Sequence, residues 1–238
     1  MTELLFRDDA YLKSCEASVL AVSDKGGIVL DRTVFYATAG GQPGDKGRMV
    51  WDGGSAAIAT TVYDEAKNVV HVPADGQPLP PIGAAVSAEL DWDNRYRNMR
   101  AHTLMHLLCD SVPFPVTGGA INEDGGRIDF DIPEGQIPDK VELTARINRL
   151  IAEDHVVTFR WITDAEMAEN QHLIRTMSVK PPSGTGRVRL VMIGENGSVD
   201  LQPCGGTHVA STGLIGPAAV SKIENKGRIN RRIRVVFA

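Results

Sequence analysis

Two histidines four residues apart, His102 and His106, stand about a hundred residues upstream of Cys204 and His208 in a CGGTH segment. These side chains prefer a transition metal to water. If they share one ion, any fold of the chain must bring two distant segments together. Spacing four on a helix puts both imidazoles on one face. Pro203 and the Gly205-Gly206 pair make the second half-site a loop whose backbone can approach an ion closely. Imidazole and thiolate donors suit Zn2+. The plainer alternative is a set of satisfied core histidines. Thr103 fills the place where HExxH carries its glutamate base, so peptide hydrolysis by that route is disfavoured. Four protein ligands would close a tetrahedron and give a structural site. Catalysis needs a water ligand, a fifth coordination position, or a metal that mainly positions substrate. Cys109, three residues after His106, is a fifth candidate donor that reads better as a small buried hydrophobe.

With 238 residues the chain can bury one large core or two modest ones. No apolar run is long enough to cross a bilayer, and the start MTELLFRDDAYL lacks a signal-peptide core. A cytoplasmic protein with no membrane partner is expected. Cys15, Cys109 and Cys204 are too few and too odd for a disulfide framework and fit a reducing compartment. The formal net charge of −5 does not by itself suggest nucleic acid. Locally, however, residues 222–234 hold Lys222, Lys226, Arg228, Arg231, Arg232 and Arg234 against Glu224 alone. That stretch reads either as a solvated edge hairpin or as a phosphate-contacting patch.

The first ninety residues read as short strands, at 16–22, 27–36, 47–51, 56–63, 68–72 and 84–90, with hairpin turns at 24–27 and 52–54. Even spacing of short strands suggests a small β-barrel over residues 1–91. From Asp93 to Asp110 the periodicity is helical, capped by Asp91 or Asp93 and stopped by Pro113. A second helix is expected from Asp139 to Asp154, with Val141, Leu143, Ile147, Leu150 and Ile151 as its buried stripe. Strand 156–162 follows, then a capping box from Thr163 and Glu166. Strands near 187–193 and 198–202 flank a turn at 195–197, and a last hairpin pairs 219–224 with 231–237. Residues 92–238 therefore form an α+β domain, a mostly antiparallel sheet with helices packed on it. The expected fold is α+β: a small N-terminal barrel, then a zinc-binding domain, with the cleft between them.

The segment FYATAGGQPGDKG, residues 35–47, is bounded by glycine and bears a hydroxyl (Thr38), an amide (Gln42) and a carboxylate (Asp45). Gly40 and Gly41 allow backbone N–H groups to approach a ligand. A tight turn between two strands is the simpler reading.

HTLMHLL at 102–108, VDLQPCGGTHVASTGLIG at 199–216 and SKIENKGRINRRIRV at 221–235, in that order after residues 35–47, resemble the editing domain of alanyl-tRNA synthetase. The chain as a whole resembles the free-standing AlaX proteins that share this domain, of the mid-length type. The resemblance implies a trans-editing hydrolase that cleaves the ester of mischarged Ser-tRNA(Ala), and in some members Gly-tRNA(Ala), while sparing Ala-tRNA(Ala). It maps the zinc ligands onto His102, His106, Cys204 and His208, with His102 and Cys204 also counted as catalytic. It makes Thr38 the reader of the seryl hydroxyl and Gln42 the residue that orients the acyl end. Charge alone adds Arg95, Arg97, Lys222, Lys226, Arg231 and Arg232 as phosphate contacts for tRNA. Two alternatives remain open. One is a zinc-stabilised nucleic-acid-binding module without chemistry, and the other a zinc hydrolase acting on a different small aminoacyl ester.

Overall fold

Alternating burial along short strands is what the early sequence dictates, and the computed structural model, which describes residues 2–175 and 186–238, has that pattern. The chain separates into two compact units, Met1–Arg97 and Asn98–Ala238. The fold is α+β, as expected.

In the first unit the strands are β1 (Glu3–Leu4), β2 (Ser14–Val22), β3 (Ile28–Leu30), β4 (Arg32–Thr33), β5 (Gly47–Trp51), β6 (Gly54–Tyr63), β7 (Val69–Pro73) and β8 (Ala85–Leu90). Six of them close into a barrel in the order β2-β3-β7-β6-β5-β8, while β1 and β4 make a short parallel pair. Inward positions of alternate strand residues, such as Ala17, Val19, Met49, Ile58, Val86 and Ala88, fill the barrel. The expected strand 27–36 is interrupted at Asp31. Its carboxylate accepts from Ser18 N at 2.7 Å, which bends the chain between β3 and β4.

The helix α1 (Trp92–Ser111) starts in the first unit and continues into the second. Asp91 caps it, accepting from Asn94 N at 3.1 Å. Met99, Ala101, Leu104, Leu107 and Leu108 are wholly buried on several faces, so this helix is a core element and not a surface one.

The rest of the second unit comprises β9 (Val116–Asn122), β10 (Gly125–Asp131), α2 (Lys140–Ala152), β11 (Val157–Thr163), α3 (Asp164–Glu169), β12 (Arg187–Ile193), β13 (Asp200–Pro203), β14 (Ala218–Asn225) and β15 (Asn230–Phe237). Where one sheet was expected there are two, ordered β14-β15-β10-β9 and β11-β12-β13, both antiparallel. The hairpin β14–β15 pairs, through β15, with the unforeseen hairpin β9–β10 and not with β11–β13. Asp139 caps α2 by accepting from Val141 N and Glu142 N, and Leu143, Ile147 and Ile151 face inward. Val141 lies in the solvent-facing first turn and is 74% exposed, outside the stripe assigned to it. The Thr163–Glu166 capping box opens α3 as its sequence demands. Among the described residues no helix is long and apolar enough to cross a membrane, and the three cysteines form no disulfide.

Candidate metal centre

The middle of α1 and the loop after β13 meet within the second unit. One donor atom from each of His102, His106, Cys204 and His208 lies within 4.8 Å of every other. Cys204 Sγ stands 3.5 Å from His102 Nε2 and 3.4 Å from His208 Nε2. A tetrahedral zinc with bonds of about 2.3 Å to sulfur and about 2.05 Å to nitrogen requires an S···N separation of roughly 3.6 Å. The donor set therefore fits Zn2+ in both chemistry and spacing. Cys109 is not among the clustered donors. It is buried as expected of a small hydrophobe, and desolvation, with the nearby charge of Asp200, pushes its thiol up to about 12.

Each half-site has local supports. Thr103, at the position of the missing glutamate, donates to Met99 O at 2.9 Å and accepts from Val209 N at 3.2 Å. Its oxygen also lies 3.4 Å from His208 Nδ1, so it ties the helix to the second half-site. Arg189 on β12 donates to Cys204 O at 3.2 Å and Gly206 O at 3.1 Å, while its own carbonyl accepts from Cys204 N. The Arg189 guanidinium lies 4.3 Å over the Phe159 ring. Burial works against the charged forms of His106, Cys204 and His208. Even so, the imidazoles of His102 and His208 hold Cys204 well below the ordinary thiol range. Burial and the neighbouring His102 push His208 down to about 3. At His106 burial is outweighed by hydrogen bonds to Asp200 and Cys204, which raise it to about 10.

The loop over 35–47 belongs to the first unit. Ala39 and Gln42 exchange backbone hydrogen bonds across Gly40 and Gly41, whose φ values of +55° and +83° suit a two-residue hairpin turn. The simpler turn reading is the structural one. Thr38 is exposed, donates to Thr61 O at 3.2 Å and accepts from Gly44 N at 2.8 Å. Gly44 passes so near the Thr61 carbonyl oxygen that a Cβ would lie 1.9 Å from it. Gln42 is buried at 1% exposure.

The proposed phosphate contacts divide. Arg95 is a correction. It is wholly buried, its Nε bonds both Asp45 oxygens at 3.1 and 3.0 Å, and its Nη1 donates to Ala10 O. A guanidinium so enclosed has no surface to offer a phosphate. Arg231 is 5% exposed and staples its own hairpin through the carbonyls of Gly227, Arg228 and Asn230. Arg232 pairs with Asp129 of β10, an acidic partner invisible along the local sequence. Lys222 and Lys226 both reach Glu224, at 3.2 and 3.7 Å, and Arg97 is exposed. Sequence reasoning missed Asp200, Gln202 and Arg189. The first two lie four and two residues before Cys204, a nearness that could have marked them.

The profile described as "Threonyl and Alanyl tRNA synthetase second additional domain" matches residues 188–234, and one described as "tRNA synthetases class II (A)" matches 10–94. Over 98% of its length the chain is 33% identical to the alanyl-tRNA editing protein AlaX-M of Methanosarcina acetivorans, covering 98% of that protein. The AlaX-M of Methanosarcina barkeri is 32% identical with the same coverage. The alanine–tRNA ligase of Pyrobaculum arsenaticum is 36% identical over 94% of the chain, which spans 25% of that longer protein. With likeness carried end to end and four residues able to hold a metal gathered in one place, this chain belongs to the AlaX-M family of alanyl-tRNA editing proteins.

Proposed function

We propose that the protein is a zinc-dependent aminoacyl-tRNA deacylase that hydrolyses Ser-tRNA(Ala) and leaves Ala-tRNA(Ala) charged. The observation that carries this reading is the His102–His106–Cys204–His208 cluster in a chain alike over 98% of its length to proteins named for alanyl-tRNA editing. These four residues would hold Zn2+, which would supply Lewis acidity towards the ester carbonyl through a fifth coordination position or by positioning the acyl end. In the reaction a water oxygen adds to the acyl carbon, the bond to the ribose oxygen breaks, and that oxygen takes up a proton.

The residues of the chain provide the selectivity. A pocket for alanine cannot strongly exclude serine, which adds only a hydroxyl, so a second site must reward that hydroxyl. Thr38 suits the task. Its oxygen already accepts one hydrogen bond and donates one, leaving a lone pair for a seryl O–H. Gln42, being buried, acts by holding the shape of the loop that carries Thr38.

Purified protein should discharge Ser-tRNA(Ala) and spare Ala-tRNA(Ala). Tight tRNA binding without turnover would instead indicate a zinc-stabilised binding module. Hydrolysis of simple aminoacyl esters regardless of tRNA would indicate a general esterase. Thr38→Val should lower the Ser-over-Ala preference roughly tenfold or more while zinc content stays at the parent level. Unchanged preference would remove Thr38 from this role.

A further inference from the structure

Behind His106 lies a second polar group, contributed by β13. His106 Nδ1 is 2.7 Å from Asp200 Oδ2, and Gln202 Nε2 is 2.8 Å from the same oxygen. Asp200 and Gln202 are both buried. A carboxylate oxygen only accepts, so each nitrogen must present a hydrogen to it. The 3.0 Å separation of Gln202 Nε2 and His106 Nδ1 is then two donors converging on one acceptor. A proton on Nδ1 leaves the lone pair of the neutral ring on Nε2, the only nitrogen of His106 still free to bind an ion. The other carboxylate oxygen, Oδ1, makes no hydrogen bond among the described residues and lies 3.9 Å from Arg175 Nε. Arg175 in turn donates to the carbonyl of Cys109, three residues beyond His106 on α1.

Charge leads to the same residue. A divalent ion with one thiolate and three neutral imidazoles carries an excess of one positive charge, which is costly to bury unpaired. Asp200 is the carboxylate in contact with that ligand set. We propose that Asp200, held by Gln202, is the positioning residue of the centre: it fixes His106 in the Nδ1–H form and balances the charge of the zinc–thiolate unit. The proposal rests on the metal reading above and adds a role for residues outside the four donors.

The test measures zinc affinity by competition with a chromophoric chelator, with no need of tRNA. Asp200→Leu should weaken zinc binding roughly 10–100-fold, the usual effect of removing a hydrogen-bonded partner of a ligating histidine. Asp200→Asn keeps an acceptor for Nδ1–H but no charge, so its affinity should fall between parent and Asp200→Leu. Asn binding as tightly as Asp would overturn the charge-balancing half, and Leu binding within threefold of the parent would overturn the whole. Should the variants not fold, long-range 15N–1H correlation spectra of the zinc-loaded parent still decide. A protonated Nδ1 on His106 is expected, and metal on Nδ1 would refute the assignment. A parent protein that takes up no zinc would sink the metal reading itself, a result distinct from either failure.

Discussion

At the scale of single residues, charge in the four-donor cluster centres on Cys204 and His106. Cys204 is held low by its histidines, and His106 is raised to about 10 by Asp200 and Cys204 against the effect of burial. A zinc ion taken up here would displace the proton of His106, because ligands bind deprotonated. Calorimetric titration near pH 7, in buffers of different ionisation enthalpy, should therefore show release of about one proton per zinc; release of none would contradict this charge state. Arg95 makes a different kind of prediction. With Asp45 wholly buried beside it, Arg95→Leu strands an uncompensated carboxylate and should cost about 3–5 kcal/mol in chemical denaturation. The gathering of His102, His106, Cys204 and His208 was legible in the sequence because their types and spacings are rare. The fate of the arginines was not. A basic residue reads as a surface charge until an acid such as Asp45, fifty residues away, or Asp129, about a hundred away, is known to lie beside it.

At the scale of elements, strands with alternating burial and helices with side-chain caps could be read directly, as β2, β6, α2 and α3 illustrate. The hairpin β9–β10 could not, since Gly118, Gly119, Gly125 and Gly126 dilute the β signal and its pairing comes from β15, far along the chain. A buried histidine inside the barrel was also missed. His71 on β7 shares a hydrogen bond of 2.8 Å with Thr33 Oγ1 through Nε2 and one of 3.0 Å with Ile28 O through Nδ1. Thr33 Oγ1 also accepts from Phe35 N. Burial lowers this histidine from 6.5 to about 4, partly offset by the bond to Ile28. The unfolded chain then binds more protons between those values. Stability contributed by the neutral ring is complete above pH 6.5 and falls with acidification, levelling off below about 4, for a total loss of about 3 kcal/mol. Denaturation curves across that window should show the slope, and His71→Gln should flatten it. A parent profile already flat there would contradict the assignment.

At the scale of the whole molecule, the net charge of −5 makes tRNA attraction depend on where exposed cations lie and not on the overall charge. The hairpin 222–234 keeps a positive excess, but Glu224 and Asp129 hold several of its cations in ion pairs. Replacing Lys222 and Lys226 with Gln should weaken tRNA binding at all tRNA sequences. It should also lower the slope of log affinity against log salt by about two, near one per residue; an unaltered slope would place the contacts elsewhere. The bend at Cys204 carries a further implication. Arg189 grips the carbonyls on either side of Gly205 from a strand deep in its sheet, and Thr103 fastens the following turn to the helix. Such a socket is fastened by hydrogen bonds that need no bound ion. Small zinc fingers collapse when stripped, whereas this protein should keep the vacated seat in shape, so that ions can be exchanged or scavenged without the chain passing through an unfolded state.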